Sequence, residues 1–178
     1  MRMIIRETTE RDRETIYRVE ALAFGHEKEA KLVDSLLDDP TARPHLSLLA
    51  LEDVRAVGHI LFTAGDIVGS SRKVSLLAPL SVAPEAQGRG VGGRLIQAGL
   101  ARLAEAAVDL VFVLGHPSYY PRHGFVPAHT YGLEAPYPIP EEHLDAWMVQ
   151  GLHPSALENV RGKVVCAAAL DRPEHWRE

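Results

Sequence analysis

Leu80-Ser81-Val82-Ala83-Pro84-Glu85-Ala86-Gln87-Gly88-Arg89-Gly90-Val91-Gly92-Gly93 is the stretch on which the reading of this chain turns. Its first residues are apolar enough to end a strand. Its last ones open an amphipathic helix to about Ala107, with Leu95, Ile96, Leu100, Leu103 and Ala104 on one side. Between them lies a glycine loop. Backbone N–H groups at a helix start have no partner within the helix, and the helix dipole adds positive potential, so such a start is an anion site. Gly88, Gly90, Gly92 and Gly93 remove side chains that would hold a phosphate away, and Arg89 and Arg94 add charge nearby. A plain packing turn needs fewer glycines, each of which costs the helix about 1 kcal/mol.

Several phosphate loops compete for this pattern. Gly88, Gly90 and Gly93 satisfy G-x-G-x-x-G, the dinucleotide fingerprint. That fingerprint belongs to the first strand of a parallel βαβ unit, with an acidic residue about 20 positions on, at the end of the next strand. Here Asp109 precedes the next apolar run, Leu110 to Leu114, and Gly115 and His116 end it. No Gly-Lys-Ser/Thr follows, which excludes a Walker A loop.

Upstream, Met3 to Arg6 reads as a strand, and Thr8 or Thr9 as a helix N-cap with Asp12 behind it. Ile16, Val19, Glu20, Ala23 and Phe24 keep helical spacing until Gly25. A second helix is expected from Glu27 to Asp38. His45 to Glu52 and Ala56 to Asp66 read as a hairpin around Asp53-Val54-Arg55, and Lys73 to Val82 as a third strand. Pro79 interrupts that strand and marks an edge, bulge or splay point. Pro117 to His123 suits a short helix or turn, Gly124-Phe125-Val126 another strand, and Ala146 to Leu152 and Lys163 to Ala169 closing strands.

With 178 residues and 46% hydrophobic content, the chain suits one domain, 1–178, with a core at about 3–130 and a loop-rich portion, 131–178, completing it. A net charge of −5 argues against nucleic acid as a partner. No apolar run is long enough to span a membrane. Met1-Arg2-Met3-Ile4-Ile5-Arg6-Glu7 lacks a signal-peptide core, so a cytoplasmic setting is expected. Cys166, the one cysteine, reads as a small apolar side chain. His26, His45, His123, His129 and His143 show no metal-ligand spacing, so no metal is expected.

Gln87-Gly88-Arg89-Gly90-Val91-Gly92 resembles Gln/Arg-x-x-Gly-x-Gly/Ala, the pyrophosphate loop of the GCN5-related N-acetyltransferases (GNAT). Leu80-Ser81-Val82-Ala83-Pro84-Glu85 resembles that family's preceding strand end. The run Leu114-Gly115-His116-Pro117-Ser118-Tyr119-Tyr120-Pro121-Arg122-His123-Gly124-Phe125 resembles its second motif, with a Tyr four residues before Gly-Phe, in a form similar to the YhbS-type branch. His123 departs from the apolar or aromatic residue usual before Gly-Phe.

The resemblance implies an α/β (α+β) fold. It consists of a mixed, mostly antiparallel twisted sheet of about six to seven strands flanked by helices, with splayed fourth and fifth strands (Lys73 to Val82 and Leu110 to Leu114). It further implies acetyl-CoA as co-substrate and transfer to a primary amine by direct attack in a ternary complex. In that reading Leu80, Ser81 and Val82 hold the pantetheine arm, and Gln87, Gly88, Arg89, Gly90, Val91, Gly92 and Gly93 hold the pyrophosphate. Tyr120 contacts the cofactor and is the general acid, with Tyr119 as competitor for that role.

The base is less defined. His116 is a candidate, with orientation of the turn before Pro117 as the alternative. Glu27 and Glu29 stand where the family places its substrate-facing helix, and a solvated helix face accounts for them as well. The expected acceptor is a small-molecule or peptide amine, and the chain a monomer or homodimer. A CoA-binding sensor without turnover would share the loop but need no acid.

Overall fold

The computed structural model describes residues 2–177. Strand β1 (Met3–Glu7) pairs antiparallel with β2 (Leu46–Glu52), β2 with β3 (Arg55–Ile67), and β3 with β4 (Val74–Val82). Next to β4, and parallel to it, runs β5 (Leu110–Leu114). Past the two-residue strands β6 (Val126–Pro127) and β7 (Leu133–Glu134), the chain returns as β8 (Trp147–Gly151), antiparallel to β5 and to β6. The main path is thus β1-β2-β3-β4-β5-β8-β6, and with β7 and β9 off it the sheet has nine strands, more than the six to seven expected. Strand β9 (Gly162–Val165) adds a branch, pairing with the far end of β3 and with β7.

Helices cover both faces. Helix α1 (Arg13–Phe24) and α2 (Lys28–Asp38) pack on one, and α3 (Val91–Glu105) on the other. Period-two alternation divides the strands between them. Leu49, Leu61, Leu76, Leu110 and Phe112 join Ile16, Val33 and Leu36 under α1 and α2. Leu48, Ile60, Phe62, Leu77, Val111 and Val113 join Leu95 and Ile96 under α3. Phe62 sits so close to Gly99 of α3 that no side chain fits there, which brings this helix down onto the sheet.

The entry to α1 is fixed by charge. The Asp12 carboxylate accepts from the Thr9 N–H at 2.8 Å and takes both guanidinium arms of Arg6 at 2.9 Å. Gly25, with φ +74°, ends the helix as a left-handed cap. The second helix starts at Lys28, one residue later than the sequence suggests.

Beyond β9 the chain crosses back over the α1/α2 face. Backbone N–H groups of Ala168 and Ala169 bond to Thr41 Oγ1 (2.8 Å) and Asp39 Oδ2 (2.9 Å). Trp176 is buried against Trp147 of β8, with ring centroids 5.5 Å apart. The Lys163 to Ala169 strand expectation is therefore cut short: pairing stops at Val165, and the rest is a packed segment.

Candidate active site

Strand β4 has two partners for only half its length. Its residues Val74 to Leu77 stand beside Leu110 to Val113 of β5. The β3–β4 register then shifts between Ile60 and Phe62, opposite Ala78-Pro79, and β5 pairs with nothing further along β4. Proline has no N–H to give the ladder, so the break falls where the sequence places it. On the β3 side, Ala83 donates to the Val57 carbonyl at 2.8 Å, and Ser81 stands opposite His59. Antiparallel alternation therefore turns the N–H and C=O groups of Leu80 and Val82 to the vacated side. The Val82 carbonyl accepts from Gln87 Nε2 at 3.1 Å, which ties the loop to the strand end.

The glycines divide into two pairs with different tasks. Gly88 (φ +77°) and Gly90 (φ +81°) hold left-handed backbone, and Gly90 caps α3. Gly92 and Gly93 allow close approach. A Cβ at Gly92 would lie 2.5 Å from the Tyr119 hydroxyl, and one at Gly93 3.0 Å from His123 Cε1. So the second motif packs on the first turn of α3, and His123 does so as a packing ring, 4.9 Å from Tyr119. The first helical bond of α3 is Arg94 N–H to Gly90 C=O, at 3.1 Å. Among the described residues, the six backbone N–H groups from Gly88 to Gly93 have no acceptor. The arrangement is an anion cradle continuous with the open edge of β4.

The two arginines differ. Arg89 is held by Glu52 at the end of β2, through Nη1–Oε2 at 3.0 Å and Nη2–Oε1 at 2.5 Å. Its charge is already matched by a buried carboxylate, so its side chain anchors the loop. Arg94 is exposed and has no ion pair among the described residues.

Tyr120 is buried on the α3 side, edge-on to Phe125 (5.7 Å) and Tyr119 (5.1 Å). Burial pushes its phenol well above the usual tyrosine value, so it stays protonated. Tyr119 is half-buried, with the Arg122 guanidinium 5.2 Å from its ring centre. His116 is exposed. Its carbonyl accepts the Tyr119 N–H at 3.0 Å and the Tyr120 N–H at 3.3 Å, so its backbone shapes the turn that carries both tyrosines. Glu27 accepts from the Tyr17 hydroxyl at 2.6 Å, and Glu29 lies 3.2 Å from His26. Neither lines the gap between β4 and β5.

Two features escape a reading of the sequence. On β3, His59 is wholly buried between Glu20 of α1 (Nδ1–Oε2, 2.6 Å) and Ser47 of β2 (Nε2–Oγ, 2.8 Å), whose Oγ accepts from Thr8 at 2.8 Å. The available signal is Glu20 itself, a charge inside an apolar helical stripe. The second is that the C-terminal segment closes the gap. A cavity of about 60 Å³ where β4 and β5 part is lined by Ala78, Leu114, Trp147, Leu170, His175 and Trp176. A much larger cavity, about 930 Å³, lies elsewhere around Arg43, Lys73 and Arg102 and touches none of the loop residues.

Comparison with known proteins agrees with this geometry. The family model described as "Acetyltransferase (GNAT) domain" matches residues 4–128. The chain belongs to the GNAT family. This GNAT chain is 52% identical over 163 residues to the uncharacterized N-acetyltransferase YjhQ of Escherichia coli K12, covering 90% of each. It is 33% identical over 143 residues to YhbS of the same strain, covering 80% of this chain and 83% of that one. The crystal structure of E. coli YhbS in complex with CoA superposes with a TM-score of 0.88 at 29% identity, covering 97% of this chain and 93% of that one. A GNAT acetyltransferase from Brucella melitensis in complex with acetyl-CoA gives 0.76 at 32% identity, covering 96% and 99%. The chain is an acyltransferase with the mixed sheet and parting β4 and β5 of that fold. No helix among the described residues is long and apolar enough to cross a membrane.

Proposed function

We propose that this chain, working as a single domain, binds acetyl-CoA and transfers its acetyl group to a primary amine by direct attack. The observation that carries the reading is the run of unpartnered N–H groups from Gly88 to Gly93, continuous with the edge at Leu80 and Val82 that β5 leaves unpaired. A pyrophosphate fits the first and an amide-bearing pantetheine arm the second, as an added strand. The two structural relatives described with CoA and acetyl-CoA support that ligand.

In the reaction the acceptor's neutral amine attacks the thioester carbonyl carbon and the C–S bond breaks. Charge develops on sulfur and a phenol within reach protonates it, while the attacking nitrogen loses its extra proton as the amide forms, and that proton restores the phenol by way of solvent. Tyr120 is assigned that role because its burial keeps the phenol protonated, so a proton donor is present throughout the neutral range. No nucleophile is required. Cys166, the one thiol, is pushed up to about 12 by burial and belongs to the α1/α2 face.

Thiol release with acetyl-CoA and a panel of primary amines tests the proposal. Turnover with at least one amine, lost in Tyr120→Phe, is expected. Tight CoA binding with no turnover across the panel would instead identify a sensor.

A further inference from the structure

We propose that His175 is the base that takes the proton from the acceptor amine. This rests on the acetyl-transfer reading above.

The thioester approaches the gap between β4 and β5 from the α3 side, where Leu80 and Val82 pack. The small cavity at the parting point is walled on its other side by the C-terminal segment. Its lining is nearly all hydrocarbon and indole. Both indole N–H groups are occupied, Trp147 Nε1 by the Leu133 carbonyl and Trp176 Nε1 by the Leu170 carbonyl, each at 3.0 Å. His175 is the one titratable side chain among the lining residues, and neither ring nitrogen has a hydrogen-bond partner among the described residues.

The imidazole is held, not adrift. Its neighbour Trp176 is pinned on Trp147, and the segment before it is fastened to Asp39 and Thr41. Arg172 and Glu174 on its own segment and Lys28 and Glu29 on α2 are the charged groups around it. Burial outweighs them and lowers its affinity for protons, so the ring is neutral near pH 7. It can then accept a proton from R–NH₃⁺, leaving R–NH₂ to attack and an imidazolium that returns the proton to solvent. His116, the candidate from the sequence, is exposed and lines no part of this cavity.

The test uses the full chain. Acetyl-CoA affinity is first measured by calorimetry, since failure there removes the underlying reading and not this inference alone. Rates are then followed against pH with the fastest primary amine of the panel. Expected are an acidic limb in the wild type, its loss in His175→Gln with a rate about 100-fold lower, and unchanged acetyl-CoA affinity. Exogenous imidazole should restore His175→Ala. An unchanged limb in His175→Gln, or no restoration by imidazole, overturns the proposal. Independently of any acceptor, the His175 ring ¹⁵N resonances should shift when acetyl-CoA is added. Resonances that do not move overturn it too.

Discussion

The Tyr120 ring lies against Gly115, the residue that follows β5, so closely that a methyl group at position 115 would overlap it. The contact fixes the phenol relative to the strand that forms one wall of the gap. Gly115→Ala should displace the ring. We expect a loss of about 1–3 kcal/mol in urea unfolding from overpacking, and kcat falling at least about 10-fold with acetyl-CoA affinity little changed.

Tyr120→Phe separates chemistry from packing. The hydroxyl makes no side-chain hydrogen bond among the described residues, so its removal should change stability by less than about 1 kcal/mol. The kcat should fall about 100-fold, and calorimetric affinity for CoA should hold. Because burial raises the phenol's pKa, no alkaline limb from Tyr120 is expected below pH ~10. An equal loss in Tyr119→Phe would reassign the acid.

The Glu20–His59 pair is a stability element. Both side chains are wholly buried, 2.6 Å apart, and join α1 to β3. Removing either partner leaves an uncompensated buried group. Glu20→Ala and His59→Ala should each destabilise by about 3–5 kcal/mol, with the double variant well short of the sum. Additive effects in urea titrations would show that the two do not act as a unit.

Asp12 makes the N-terminal region acid-sensitive. Its hydrogen bonds with Arg6, and that from the Thr9 N–H, lower its pKa from 3.8 to about 2. A depressed carboxyl contributes stability that is complete above the unfolded value and is lost as pH falls from about 4 toward 2. Thermal melts should show this loss in the wild type and a shallower one in Asp12→Asn.

Much of this was legible because local rules agreed. The β4–loop–α3 unit, its left-handed glycines, the Gly25 cap and the break at Pro79 each follow from residue chemistry within a few positions. What was not legible depends on distant pairings. Arg89 reads as a free cation until Glu52, 37 residues away, is brought beside it. Gly92 and Gly93 read as phosphate glycines, yet they also accommodate Tyr119 and His123. The C-terminal segment carries no periodic signal, so nothing local puts His175 at the gap between β4 and β5.

The central claim is that the cradle from Gly88 to Gly93, with the free edge of β4, is an acetyl-CoA site. Calorimetric titration of the intact chain with acetyl-CoA, ATP and NAD tests it most directly. Acetyl-CoA should bind tightest, and Gly90→Val, which strains the left-handed cap and crowds the cradle, should weaken it at least about 10-fold. Tighter binding of ATP or NAD, or full affinity in Gly90→Val, would contradict the account.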